Sequence, residues 1–155
     1  KNVKFDNITC KGENGILLFG TEESVIEDVT FSNVTFELVD SKLNDVAGGN
    51  IDLRGCSDEK NQLFQRDLPG FLARNVTGLI IENFRLEWTG TRMPYFTHGI
   101  EVRNFKDLRI TNFKGTASPI NSKAFPIWLE DGIQADVDTK TGIMKTNVKS
   151  YTPDK

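Results

Sequence analysis

One stretch of the chain returns at a spacing of 29 residues. The segment GFLARN begins at Gly70, and GIEVRN begins at Gly99. The likeness continues downstream, where LIIENF from Leu79 returns as LRITNF from Leu108. A repeat of this length, rich in alternating β-branched and aromatic residues, is typical of stacked coils and not of a sheet packed against helices. In such a solenoid, function resides in the outward side chains of one face.

Five segments of the chain resemble the first part of this repeat. They read GILLFG, NIDLRG, GFLARN, GIEVRN and PIWLED, and they begin at residues 15, 50, 70, 99 and 126. Alternate residues of a strand point to opposite faces, so the apolar positions of these segments predict two inward columns. The first column comprises Ile16, Ile51, Phe71, Ile100 and Ile127, and the second comprises Leu18, Leu53, Ala73, Val102 and Leu129.

A second segment type carries an asparagine at a fixed position. It occurs at Asn7, Asn33, Asn83 and Asn112. Stacked asparagines can hydrogen-bond from coil to coil, and asparagine tolerates the tight bends between sheets. The gap of 50 residues between Asn33 and Asn83 is too long for a single coil. We therefore expect an intervening coil, near residues 61–64, that has lost the pattern.

The composition agrees with an all-β fold. The 155 residues suffice for one domain and include eleven Phe, whereas helix-favouring runs are nearly absent. We predict a solenoid of about five coils, with coils over 1–132 and a degraded terminal rung with a polar tail over 133–155. The first coil carries no polar cap, and an open end exposes apolar side chains and strand edges. We therefore expect an N-terminal remainder of the same protein, or another chain, to cover it.

Charge and cysteine content restrict the partners. A net charge of −3 and an isoelectric point near 5.2 disfavour nucleic acid as a partner. No apolar run reaches membrane-spanning length, so we predict no membrane partner. Cys10 and Cys56 could form a disulfide, hold a metal as two thiolates, or stand as separate thiols on different coils. The absence of CxxC spacing and of a histidine cluster favours separate thiols. We predict no metal and no cofactor.

The outward positions of the first segment type carry three arginines. Arg54, Arg74 and Arg103 occupy the same position of successive segments, and adjacent rungs of a parallel sheet are about 4.8 Å apart. Such like charges repel unless carboxylates lie between them. A guanidinium binds a carboxylate through two parallel hydrogen bonds, so the ladder suits an acidic polysaccharide. Alternatively, Asp52 and Glu101 only neutralise the arginines on a solvated sheet, as surface ion pairs commonly do.

The same face offers a carboxyl pair and an aromatic ring. Asp52 and Glu101 stand two rungs apart, roughly 9.6 Å, which is compatible with the carboxyl pair of an inverting glycosidase. Trp128, at the end of the face, could stack on a sugar ring. Glu130 and Asp131 on the last rung rank behind Asp52 and Glu101 as acids.

Three features lie at the margins of this face. His98 is the only histidine and directly precedes an outward strand. It is either an imidazole for acid–base chemistry or a turn residue at a coil corner. The aromatic segment in the loop from Glu87 to Thr97 either overhangs a groove, where sugars stack, or plugs the core. The stretch from Cys56 to Pro69 could form a groove wall.

These patterns resemble those of right-handed parallel β-helices. The rungs of the form (Val/Leu)-x-(Phe/Ile)-x-Asn, the segment GGNIDLR from Gly48 and the stretch from Gly99 to Gly115 carry the resemblance, which covers nearly the whole chain. Within the pectin-lyase-like group, the chain is most similar to the polygalacturonase-like enzymes of glycoside hydrolase family 28. That resemblance implies a secreted or periplasmic protein and inverting hydrolysis of a pectin-type acidic polysaccharide.

The match to the catalytic signatures of that family is partial. The signatures are Asn-x-Asp, an Asp-Asp pair, Gly-His-Gly and Arg-x-Lys. Here Asn50-Ile51-Asp52 matches the first, His98-Gly99 keeps part of the third, and the other two are absent. Either the chain is a C-terminal portion whose catalytic coils lie upstream, or it has diverged to a different or absent activity.

The sequence thus predicts a carbohydrate-active β-helix whose candidate residues share one face. The catalytic carboxyl pair would be Asp52 and Glu101. Substrate binding would fall to Arg54, Arg74, Arg103, His98 and Trp128. The alternative is a non-catalytic β-helical module for polysaccharide binding or adhesion.

Overall fold

The computed structural model describes residues 1–40, 68–138 and 142–150. Within these ranges every regular element is a β-strand, and no helix is long and apolar enough to cross a membrane. The strands are β1 (Val3–Gly12), β2 (Ile16–Phe19), β3 (Ile26–Val39), β4 (Phe71–Thr89), β5 (Ile100–Thr111), β6 (Ile127–Asp138) and β7 (Ile143–Lys149).

All described strand pairs are parallel. The order is β1-β3-β4-β5-β6-β7, and β2 pairs with the beginning of β4. Parallel neighbours cannot be joined by a tight hairpin, so the chain travels around before each strand returns beside the previous one. The predicted all-β solenoid is therefore confirmed for the described part of the chain.

The long strands bend at residues with a left-handed backbone. Within β4, Asn75, Gly78 and Asn83 have φ values of 53°, 67° and 51°. Asn104 and Asp107 repeat the first two bends in β5, with φ values of 51° and 55°. Asparagine and aspartate enter this region more readily than other side chains because their short polar groups bond locally. Each bend turns the strand onto a new side of the solenoid without ending its pairing.

The predicted inward columns form the core. Ile16 pairs with Phe71, and the column continues through Ile100, Ile127 and Ile143. Phe71, Ile100 and Ile127 are fully buried, as are Ala73, Val102 and Leu129 of the second column. Ile51 and Leu53 lie outside the described residues. Burial of these apolar side chains is the main favourable contribution to such a fold.

The predicted order of rungs is wrong in one respect. Val29 of β3 pairs directly with Leu79 of β4, and Ile16 of β2 pairs directly with Phe71. No coil therefore stands between Asn33 and Asn83, although 50 residues separate them. The separation of 50 residues between Asn33 and Asn83 led to the prediction of one rung too many at this point. A coil can carry an insertion and still stack on its neighbour. The coil expected near residues 61–64 falls in 41–67, outside the described residues.

The stacked asparagines form a hydrogen-bonded ladder. The Nδ2 of Asn83 donates to Asn33 Oδ1 at 3.0 Å, and the Nδ2 of Asn112 donates to Asn83 Oδ1 at 2.7 Å. This part of the prediction is confirmed. At the end of the ladder the amide of Asn33 donates to Asp6 Oδ1 at 3.0 Å, instead of to Asn7. Asp6 thus accepts the hydrogen bond that the sequence predicted for Asn7.

The end of the solenoid formed by β1 presents apolar side chains. Val3 and Phe5 are 43% and 39% exposed, and the ring of Phe5 stacks on Phe31 with centroids 4.7 Å apart. In the described chain β1 pairs on one side only, with β3. That a further segment or another chain covers this edge stays a prediction.

Substitution of Asn83 tests the ladder and its bend separately. We expect Asn83→Gly to lower the free energy of unfolding by about 1–2 kcal/mol, because two amide hydrogen bonds are lost. Asn83→Ala should cost about 1 kcal/mol more, because alanine also strains the left-handed backbone. Urea unfolding followed by circular dichroism measures both changes.

Asp107→Gly serves as the control, since it replaces a left-handed residue outside the ladder. It should leave stability nearly unchanged. Equal stability of the wild type and both Asn83 variants would show that the ladder contributes nothing.

Candidate functional site

One outward column of the solenoid brings the candidate charges together. Phe19 pairs with Arg74, Arg74 with Arg103, and Arg103 with Glu130. We call these four residues the arginine face. The predicted stacking of Arg74 on Arg103 is confirmed.

The predicted ladder of three consecutive arginines is wrong. Arg54 was expected between Phe19 and Arg74, but those two residues are direct neighbours because β2 pairs with β4. Asp52 was likewise expected in the adjoining column, between Leu17 and Leu72, which also pair directly. Asp52 and Arg54 lie outside the described residues, so their roles stay predictions.

Arg103 is held by two carboxylates. Its Nε lies 2.6 Å from Glu101 Oε1 and 3.2 Å from Glu130 Oε2. Glu101 belongs to the same strand two positions earlier, whereas Glu130 comes from the next rung, so the guanidinium links β5 to β6. The sequence left open the alternative that neighbouring acids neutralise the arginines. For Arg103 the structure shows this arrangement.

Glu101 is buried, although alternation assigns it to the outward side. Its side chain is only 5% exposed, and its neighbour Leu72 on the preceding rung is also buried. A charged carboxylate is removed from water only where a partner compensates for the lost hydration, and Arg103 supplies that partner here. Glu101 thus differs from the solvent-facing acid that the sequence predicts.

Arg74 has different surroundings from Arg103. It is exposed, and its guanidinium carbon lies 5.9 Å from the centre of the Phe19 ring. Within the described ranges no carboxylate forms an ion pair with it. A cation over an aromatic face is attracted to the ring and held in position. Arg74 can therefore accept a carboxylate from a ligand without first breaking an ion pair to a described residue.

His98 and Trp128 form a stacked pair beside the arginine face. Their ring centroids are 4.8 Å apart at an interplanar angle of 28°. The backbone N–H of Phe125 donates to His98 Nδ1 at 3.0 Å, which leaves the proton of the neutral imidazole on Nε2. His98 covers one face of the indole and the Phe125 ring also packs against it, with centroids 5.8 Å apart. These two neighbours reduce the indole surface left for the predicted sugar contact.

The indole nitrogen of Trp128 is a second notable feature of this pair. Nε1 is buried and has no hydrogen-bond partner in the described part of the chain. Buried polar atoms without partners are rare, and they often mark a place for water or a ligand. Trp128 therefore keeps a donor unused beside Glu101, its partner in the strand register.

His98 is neutral at physiological pH. Burial lowers its pKa to about 4, and the positive charge of nearby Arg103 acts in the same direction. It cannot then serve as a charged general acid near pH 7. The position before β5, in contact with the rings of Trp128 and Phe125, agrees with the corner residue that the sequence offered as one of two alternatives.

The titration of His98 gives a direct test of these surroundings. Its ring proton resonances should shift with a midpoint near pH 4, in place of the ordinary value near 6.5. The unfolded chain binds a proton here between those values and the folded chain does not. The free energy of unfolding should therefore fall as the pH drops from 6.5 to 4 and level off below that.

Two-dimensional NMR resolves this residue, because it is the only histidine. His98→Gln should remove this part of the pH dependence of stability. A midpoint near 6.5 in the folded protein would contradict the buried arrangement.

The aromatic loop before His98 serves mainly the core. Tyr95 and Phe96 are buried, so for these two rings the core-plugging alternative is confirmed. Trp88 packs edge-on against Phe96 and donates from Nε1 to the Thr116 carbonyl at 3.0 Å. Trp88 also lines an open groove of about 420 Å³, together with Pro119 and neighbouring residues.

No metal centre is evident among the described residues. They contain no group of three or more His, Cys, Asp and Glu side chains placed to hold an ion. Cys10 is partly buried on β1, and burial raises the pKa of its thiol. Cys56 lies outside the described residues, so a disulfide between the two is untested.

The sequence analysis underrated one member of the site and missed another. Glu130 ranked as a minor acid, although its position opposite Arg103 in the repeat already indicated an ion pair across rungs. Phe125 gave no signal, because it precedes the repeat unit and acts through its backbone N–H.

Comparison with known proteins gives no family for this chain. No family model, no curated protein and no solved structure matches it. The likeness to polygalacturonase-like enzymes therefore rests on the residues quoted from the sequence.

Proposed function

We propose that this chain is part of a carbohydrate-active β-solenoid that binds a pectin-type acidic polysaccharide on the arginine face. The observation that supports this most is the contrast between its two arginines. Arg103 is occupied by Glu101 and Glu130, whereas exposed Arg74 contacts Phe19 and has no carboxylate partner in the described chain.

Arg74 is the proposed contact for a uronate carboxylate. The guanidinium fork matches the geometry of a carboxylate, and the Phe19 ring beneath it limits its motion. Arg103 lies one rung away, about 4.8 Å. Its charge is already paired with Glu101 and Glu130, so it links β5 to β6 and shapes the face. A polymer with a carboxylate on each sugar suits a face on which one arginine has no carboxylate partner in the described chain.

Hydrolysis is the second candidate function. It is favoured by the neighbourhood of His98, Glu101 and Trp128, because His98-Gly99 belongs to the motif that resembles polygalacturonase-like enzymes. In this proposal Asp52 and Glu101 form the carboxyl pair of an inverting enzyme. The direct pairing of Leu17 with Leu72 removes the two-rung spacing from which that pair was predicted, so the proposal rests on the Asn-x-Asp motif. The pairing of Glu101 with Arg103 favours binding over catalysis, since the carboxylate would have to leave that contact to reach a glycosidic oxygen. We propose a secreted or periplasmic location, where such polymers are encountered.

Replacement of Arg74 tests the binding proposal. Arg74→Gln should weaken binding of hexagalacturonate by roughly five- to thirtyfold, because loss of a charge-assisted hydrogen bond costs about 1–2 kcal/mol. Isothermal titration at low salt measures the change, and binding should weaken further as salt is added.

Arg109→Gln is the matched control, since it removes an exposed arginine that pairs with Asp136 away from the arginine face. It should bind like the wild type. Arg74 would be excluded as a uronate contact if Arg74→Gln and Arg109→Gln bound hexagalacturonate with equal affinity. It would also be excluded if the wild type bound a neutral galactan as tightly as hexagalacturonate.

Hydrolysis is tested by release of reducing ends from polygalacturonate and from rhamnogalacturonan. In an active protein, Asp52→Asn and Glu101→Gln should each abolish release while binding persists. Binding of the polymer without turnover by the wild type would support the non-catalytic module, including a role in adhesion. Full activity of both variants would exclude the proposed carboxyl pair.

A further inference from the structure

A groove of about 370 Å³ lies around the corner from the arginine face. Its floor follows the column of bends formed by Asn75, Asn104 and Asp131, each of which directly follows a residue of the arginine face. The left-handed backbone at these positions turns the chain, so the groove occupies the adjoining side of the solenoid.

One amide in this column has no partner among the residues that the structure describes. Asn75 donates to the carbonyl of Gly20 at 2.8 Å, and Asn147 donates to Asp131 Oδ1 at 2.6 Å. Asn104 lies between Asn75 and Asp131 in the register, and its side chain makes no hydrogen bond to any described residue. Its half-buried amide can therefore donate to and accept from a ligand in the groove.

The wall of the groove combines apolar and positive side chains. Val25 and Ile133 are 41% and 39% exposed, and both line the groove. Lys106 pairs with Ile133 in the register and Ile133 with Lys149, so two lysines flank an exposed apolar side chain. This stripe suits a ligand that has one apolar face and carries a negative charge.

We propose that this corner groove is a second subsite for an acidic sugar of the polymer bound on the arginine face. The apolar face of the ring lies on Ile133, the carboxylate meets Lys149, and a hydroxyl pairs with the amide of Asn104. Asp131 accepts a hydrogen bond from Asn147 and can accept another from a sugar hydroxyl. The inference rests on the proposed function, because it supposes that the ligand is an acidic polysaccharide.

Two variants remove the proposed contacts without disturbing the fold. Asn104→Gly deletes the amide and keeps the left-handed backbone, and Lys149→Gln deletes an exposed charge. We expect Asn104→Gly to weaken binding of hexagalacturonate by roughly two- to tenfold, and Lys149→Gln by about threefold. Isothermal titration measures the affinities.

The controls have the same chemistry outside the groove. Asp107→Gly replaces another left-handed residue, and Lys145→Gln removes another exposed lysine of β7. Both should bind like the wild type. Backbone amide shifts from NMR titration with hexagalacturonate should include Lys106, Ile133 and Lys149 as well as the arginine face.

The outcomes separate the two proposals. Wild-type affinity in Asn104→Gly and Lys149→Gln, with a loss in Arg74→Gln, overturns the corner subsite and leaves the arginine face intact. The reverse pattern supports the groove and removes Arg74 from the site. No binding of hexagalacturonate by the wild type overturns both proposals.

Discussion

The in-register stacking of parallel strands through left-handed corners is the constraint on which the rest of this structure depends. A strand can wrap around several sides of a solenoid only if some residues adopt positive φ, and here asparagine, aspartate and glycine occupy those positions, apart from Gln134 in β6. At Asn33, Asn83 and Asn112 the side chains also bond along the stack. The same residues therefore bend each coil and fix it above its neighbour.

This stacking also determines the electrostatics of the candidate site. Because rungs are aligned, a residue lies beside a partner from another rung that is distant in sequence. Arg103 thus lies beside Glu130, whereas Arg74 lies beside the ring of Phe19. Two arginines at the same position of a repeat thus have different partners, two carboxylates for Arg103 and an aromatic ring for Arg74.

The sequence predicted the parts of the fold that repeat. The inward columns of apolar residues and the asparagine ladder followed from period-two alternation and from a fixed residue in each coil. The neighbour of β4 was predicted wrongly, because NIDLRG matches the local pattern and only the pairing of Ile16 with Phe71 excludes it from that rung. The burial of Glu101 was also missed. It depends on neighbouring side chains such as Leu72 and Arg103, and the in–out alternation of one strand carries no information about them.

Contact between β3 and β4 is the most direct test of the account. In a sample with labelled Val and Leu methyl groups, nuclear Overhauser effects should connect Val29 with Leu79, which pair directly despite 50 intervening residues. Their observation would establish that neighbouring rungs stack with residues 41–67 inserted between them in sequence. If Val29 and Leu79 instead showed separate contacts to residues within 51–64, a further rung would stand between them, and the arrangement of the arginine face would be contradicted.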